Sequence, residues 1–359
     1  LEGVDAARIL IVKLSAMGDV VHGLAAAAFL RKAAPAATID WAVDRRFAGL
    51  VEGHPAIDRV VPLDLKGWKG RWRSPGTRRE VVSAISALRA GRYEVAFDLQ
   101  GNIKSGVVTW LSGAPVRIGF DRDGAREKQN TWFTNRHVAV DPSERHAAHR
   151  LLRLVAAPFG GNFEPEQTRP FFPVPPEARK DAAAWLADAL PGATRFLALH
   201  SGTTWNTKRM DPAFWAAVIV MLRDRVPGLG VALSWGGEAE RVESELIRSL
   251  AGGRVALLPK LEFRELASIY AACGHMVGPD CGPLHLAAAA GAATVSVYRG
   301  TDALRTVPEG ARHVAIQAPM PCTACYIRGS RSCPRDAECR ASIAPEAVAG
   351  AMEELMTCP

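Results

Sequence analysis

The stretch Arg8-Ile-Leu-Ile-Val-Lys-Leu14, continued by Ser15-Ala-Met-Gly-Asp19, decides the fold. Its first seven residues are mostly branched and apolar, which reads as a buried strand. Ser15–Asp19 reads as a turn whose tight bend Gly18 permits. Val20–Lys32 then has helical composition, with small residues toward the sheet. Thr38–Val43, Arg59–Leu63 and Val95–Leu99 read as further strands. Strands alternating with helices imply a parallel sheet covered on both faces.

The same plan restarts farther along. Between Glu164 and Pro176 stand five prolines, Pro165, Pro170, Pro173, Pro175 and Pro176. Proline suits neither a central strand nor a helix interior, so this stretch reads as a semi-rigid linker. After it come a strand at Arg195–His200, a polar loop at Ser201–Lys208 and a helix at Pro212–Arg225. Gly230–Trp235, Met276–Gly278 and Ala293–Tyr298 read as later strands. A length of 359 residues also favours two domains. The expected division is an N-terminal domain over 1–164, a linker over 165–176 and a C-terminal domain over 177–343. A terminal helix within 344–359 would pack back on the first domain. Two doubly wound, Rossmann-like domains joined in this way would hold ligands at the carboxyl ends of their strands, facing each other across a central cleft.

Composition limits the classes. No apolar run reaches the roughly 18 residues a membrane span needs, and Lys13 and Asp19 interrupt the N-terminal apolar stretch, so the expected compartment is the cytoplasm. A surplus of 44 Lys+Arg over 37 Asp+Glu, net +7, favours an anionic partner: a sugar nucleotide, an acidic glycolipid, a membrane surface or nucleic acid. Neither stacked aromatics nor a helix-turn-helix pattern supports nucleic acid.

Three constellations carry chemistry. Asp19 stands near a helix N-terminus, where a carboxylate is an ordinary cap; the sharper alternative is a general base. The loop His200–Lys208 offers the hydroxyls of Ser201, Thr203 and Thr204, backbone N–H groups and the Lys208 ammonium, which suits a diphosphate. Its glycine spacing is not that of a Walker loop. In Gly278-Pro-Asp-Cys-Gly-Pro-Leu-His285, Pro283 suits a first helical turn and Gly282 lets a ligand reach the exposed N–H groups. Asp280 and His285 either cap and pack there or face a donor.

KLSAMGDVVHGLAA, DLQGNIKS, the TTWNTK loop, SWGG and GPDCGPLHLAAA followed by YRGTD resemble, in order and spacing and over nearly the whole chain, the lipopolysaccharide heptosyltransferases of glycosyltransferase family 9. MGDVVH and Trp68–Arg73 look nearer to the heptosyltransferase I branch. The resemblance implies a GT-B fold and an inverting, metal-independent transfer of heptose from ADP-L-glycero-D-manno-heptose to the Kdo of the inner core. Asp19 would be the catalytic base, Thr203, Thr204 and Lys208 the donor-phosphate contacts, and Asp280, Gly282 and His285 the donor-binding helix start. No cofactor is required. The implied partners are ADP-heptose, a Kdo–lipid A acceptor and the inner face of the cytoplasmic membrane, with peripheral association and no nucleic acid. Cys281 departs from the family's usual Thr, and Ser201-Gly202 lengthens the donor loop. Both bear on which sugar nucleotide is used.

Lys66–Arg79 holds six cations and two Trp without an acid. Such a run reads as a solvated loop, or as a grip on acceptor phosphates at a membrane surface. The resemblance favours the second, with Lys69, Arg71 and Arg73 as contacts. Asp121-Arg-Asp123 spells a metal-binding D-x-D, but it lies outside the donor half and is rejected. His146 and His149 read as packed or solvated histidines. Cys322, Cys325, Cys333 and Cys339 gather four thiols in eighteen residues, compatible with a structural zinc or iron, with reduced thiols or with adventitious disulfides. Open alternatives are another donor or a protein acceptor within the same family, and a non-catalytic nucleotide-sugar binding protein.

Overall fold

The computed structural model describes residues 8–164, 169–329 and 332–357. The chain divides into two compact units, Leu1–Phe171 and Phe172–Pro359. Residues 165–168 of the expected linker lie outside the described residues.

The first unit runs β1 (Arg8–Val12), α1 (Met17–Ala33), β2 (Thr38–Asp44), β3 (Arg59–Leu63), α2 (Leu65–Arg71), α3 (Pro75–Ala90), β4 (Val95–Asp98), α4 (Ile103–Leu111), β5 (Val116–Phe120), β6 (Arg136–Val138) and α5 (Ala147–Ala156). Its strands lie in the order β3-β2-β1-β4-β5-β6. The β1 strand pairs in parallel with β2 at one edge and β4 at the other, and Ile9–Val12 are fully buried on both faces of the sheet. That is why its apolar run is continuous rather than alternating. Gly23 lets α1 approach the sheet: a Cβ there would stand 2.8 Å from the Trp41 ring. Trp41 is fully buried and donates its indole N–H to Lys13 O at 3.0 Å.

The second unit runs α6 (Pro176–Ala189), β7 (Arg195–His200), α7 (Pro212–Arg225), β8 (Leu229–Ser234), α8 (Glu238–Ala251), β9 (Val255–Leu257), α9 (Phe263–Cys273), β10 (His275–Pro279), α10 (Gly282–Ala289), β11 (Ala293–Tyr298), α11 (Ala303–Thr306), β12 (His313–Gln317), α12 (Asp336–Ala341) and α13 (Pro345–Thr357). Its order is β12-β11-β10-β7-β8-β9, and every pairing is parallel. Both sheets therefore have one winding. The chain adds two strands to one side of the first strand, then crosses to its other side. The crossover falls between β1 and β4 in the first unit and between β7 and β10 in the second. Ligands of doubly wound sheets bind beyond the strand ends at such switch points.

Helix α13 packs on the second unit, where Val348, Ala349 and Met352 join the core formed by Trp215, Leu222 and Val295. Arg225 and Glu353 pair at 3.4 Å across the same contact. Lys66–Arg79 is not one loop but most of α2 and the start of α3. Asp64 caps the first by accepting the Gly67 N–H at 3.0 Å, and Pro75 opens the second after Ser74.

Candidate active site

In the first unit, the loops after β1 and β4 are tied together at the switch point. Lys13 is buried and donates to Leu99 O at 2.8 Å. The Gln100 side chain accepts the N–H groups of Leu14 and Ser15 at 3.1 and 3.2 Å. Gln100 is itself placed by Asp98. That fully buried carboxylate accepts from Gln100 N and Gly101 N (3.0 Å each), Ser105 Oγ (2.9 Å) and Asn130 Nδ2 (2.6 Å). Burial pushes the Asp98 carboxyl up, and the four donors act against that shift. A buried carboxylate without them would cost several kcal/mol.

The chain so held presents Asp19. Gly18, expected from sequence to make the turn, instead lies inside the first turn of α1, and the strand-to-helix connection is Lys13–Ala16. Asp19 is the third residue of α1, and its Oδ2 accepts the Ala16 N–H at 3.3 Å. Its side chain is 39% exposed, and Arg126 Nη1 stands 4.0 Å away. The cap is real, and it leaves the carboxylate open to solvent.

The residues around Lys66–Arg79 separate by role. Arg71 pairs with Asp64 at 3.3 Å and Glu80 at 3.5 Å, acids that flank the cationic run. Trp68 packs on the core and donates to Glu80 at 3.2 Å. Trp72 is 62% exposed, with the Arg73 guanidinium 4.7 Å from its ring centroid. Lys69 is exposed. Asp121 closes a local turn through Gly124 N at 2.7 Å, and His149 holds Glu144 at 3.0 Å beside the His146 ring.

In the second unit, Asp280 is the hub of the switch point. Its Oδ2 accepts Lys208 Nζ at 2.6 Å and Thr301 Oγ1 at 2.8 Å; its Oδ1 accepts Thr306 Oγ1 and meets His285 Nε2, both at 3.2 Å. Burial alone would raise this carboxyl. The hydrogen bond from His285 and the Lys208 charge outweigh it and hold Asp280 well below the usual carboxylate range. Thr203 is buried, its hydroxyl 3.4 Å from Asp280 O, whereas Thr204 is exposed. Gly282 is the first residue of α10, and Cys281 is the N-cap without a side-chain capping bond. Burial pushes the Cys281 thiol up to about 12, so it stands there as a neutral group.

Sequence reading missed Glu240. It accepts the Gly236 N–H at 2.7 Å, lies 3.7 Å from His200 Nε2, and sits where a Cβ on Gly202 would be, 2.3 Å from its carboxyl carbon. The extra Ser201-Gly202 thus makes room for this acid. Beneath it, His200 Nδ1 meets Ser234 Oγ at 3.0 Å, and Ser234 meets Tyr270 OH at 2.8 Å. Thr301 and Thr306 were missed as well. Both reach Asp280 from beyond β11, too far along the chain for any local spacing to show.

Among the described residues, the four clustered cysteines do not form a ready-made set of metal ligands. All four thiols are free. Cys339 is buried in α12 while Cys322 is exposed, and among the described residues no three of these thiols come within 4.8 Å of one another. Among the described residues, no helix is long and apolar enough to cross a membrane.

Residues 81–334 match the sequence profile of glycosyltransferase family 9 (heptosyltransferase). Lipopolysaccharide heptosyltransferase 1 of Pseudomonas aeruginosa is 31% identical, the match covering 98% of this chain and 99% of that protein. The protein of the same name from Escherichia coli K12 is also 31% identical, over 82% of this chain and 88% of its own length. Among solved structures, E. coli heptosyltransferase WaaC with ADP superposes with a TM-score of 0.76 at 28% identity, covering 97% of this chain and 99% of that one. E. coli ADP-heptose LPS heptosyltransferase II shares the fold, with a TM-score of 0.74 at 19% identity over 97% and 98%.

Proposed function

The chain belongs to glycosyltransferase family 9, the heptosyltransferases, and we propose that it moves heptose from ADP-L-glycero-D-manno-heptose to the Kdo of a Kdo–lipid A acceptor. It is a glycosyltransferase of GT-B architecture, with two Rossmann-like units. One observation carries the finer reading: Asp280 fixes the Lys208 ammonium at 2.6 Å beside the Thr203–Thr204 loop and the half-buried start of α10. Cation, hydroxyls and helix N–H groups are what a nucleoside diphosphate requires.

In this reading the acceptor hydroxyl attacks the anomeric carbon from the face opposite the diphosphate, and Asp19 takes the hydroxyl proton. The anomeric C–O bond breaks, ADP departs with the electron pair, and the configuration inverts. Lys208, the Thr204 hydroxyl and the N–H groups at Gly282 counter the charge growing on the leaving group, so no metal is needed for that task. His285 is a positioning residue held by Asp280. The half-buried acid Glu240, next to the loop, suits a ribose hydroxyl pair, as acids do in related nucleotide folds. Lys69 and Arg73 are the proposed acceptor contacts. Arg71 acts only by releasing Asp64 and Glu80. Exposed Trp72 among these cations supports peripheral binding at the inner face of the cytoplasmic membrane.

The decisive experiment is a donor screen with Kdo–lipid A, comparing ADP-heptose with UDP-, GDP- and ADP-hexoses. Transfer from ADP-heptose above the others is the expected result. Preference for a hexose donor, or no transfer to Kdo–lipid A, would defeat the substrate assignment. WaaC has been solved with ADP-2-deoxy-2-fluoro heptose, at 30% identity to this chain, which supports the choice of donor.

A further inference from the structure

The positive charge of Lys208 is already matched by Asp280 in a buried pair. A diphosphate at this loop needs a further cation, and the cysteine-rich arm brings one. After β12 the chain returns to Trp205–Lys208. Asn206 N donates to Arg328 O at 3.1 Å, Tyr326 N donates to Gly300 O at 2.8 Å, and the Thr207 hydroxyl donates to Ile327 O. These bonds set the Arg328 guanidinium 5.1 Å from the Trp205 ring centroid, the same ring that lies 4.9 Å from Lys208 Nζ. Arg328 is exposed, and among the described residues it has no carboxylate partner. By contrast, Arg209 on the same loop is taken by Glu243 at 3.7 Å and by Thr203 O at 3.2 Å.

We propose that Arg328 is a second donor-binding cation, contacting the diphosphate of the nucleotide sugar from the arm that carries the cysteine cluster. This rests on the nucleoside-diphosphate reading above. Guanidinium is well suited to the role, since its planar fork can bond two phosphate oxygens at once.

Calorimetric binding of ADP and of adenosine to the full chain tests it, using the wild type, Arg328→Gln and Arg328→Lys. Gln should weaken ADP about fivefold, as expected for a partly exposed charge pair, and leave adenosine unchanged, while Lys should restore most of the loss. The proposal is overturned if Arg328→Gln binds ADP like the wild type. It is also overturned if ADP and adenosine weaken together, because that pattern reports a displaced loop rather than a lost phosphate contact. If the wild type itself fails to bind ADP, the donor reading falls, and this proposal with it.

Discussion

Asp19 accepts the Ala16 N–H from the third position of α1, so deleting its side chain removes a cap as well as the proposed base. Asp19→Asn separates the two. The amide oxygen can still accept the N–H, so stability should change by less than about 1 kcal/mol. Turnover should fall by about 10² to 10⁴, with ADP affinity unaltered. Urea unfolding, steady-state rates and ADP titration check the three parts, and wild-type turnover would end the assignment of Asp19 as base. The candidate residues that the sequence could suggest were those whose chemistry sits in one short stretch: Asp19, Lys208, Asp280 and Gly282. Glu240, Thr301, Thr306 and the proposed contact Arg328 were not legible, because each approaches the candidate donor loop from another part of the chain. Gly18 misled for a different reason. A glycine after a strand signals a bend, yet it is also tolerated in a first helical turn, and the backbone bends earlier, where Gln100 holds it.

Among the elements, β10 is closely confined. A Cβ on Gly278 would stand 2.6 Å from His200 O, a main-chain atom of the neighbouring strand β7. No side chain can rotate to relieve that contact. Gly278→Ala should therefore cost about 2 kcal/mol or more by forcing the two central strands apart, and it should also disturb the loops carrying Lys208 and Asp280. Equilibrium denaturation checks it; an unchanged midpoint would mean that the strands accommodate the methyl group. The long buried strands were readable because central parallel strands are continuously apolar. Strands β5, β6, β9 and β12 were not: β6 and β9 have three residues each, and β5 and β12 are only partly buried. Helix α2 was hidden by its cations, since a charged run gives no period and the cap that starts it is Asp64, outside the run. The apolar stripe of α13 announced a helix but could not say which surface it would cover.

For the whole molecule, acid sensitivity follows from histidines that are buried or half-buried. Burial lowers the pKa of His54, His200 and His275, with Phe171, Glu240 and Leu355 opposing it only in part. In the unfolded chain each takes up a proton near the ordinary value of 6.5; in the fold each refuses it until lower pH. Stability is therefore full above that value and declines as pH falls below it, by at most about 1.4 kcal/mol per pH unit for each histidine. Asp98 works in the opposite sense from its unfolded value upward, but one group stands against three. Asp280, held low, keeps its contribution until far more acidic conditions. The melting temperature should drop between about pH 7 and pH 5.5, and His275→Gln should flatten the slope. A melting temperature constant over that range would refute the account. The bonds from Asn206 and Thr207 to Arg328 O and Ile327 O carry another consequence, for how such a protein can change over evolutionary time. Their acceptors are main-chain carbonyls, so they are indifferent to which side chain follows but sensitive to how many residues do. Substitutions in the arm are open to drift, whereas an insertion or deletion there is transmitted to a loop 120 residues upstream. Loop and arm must therefore be inherited as a matched pair of lengths.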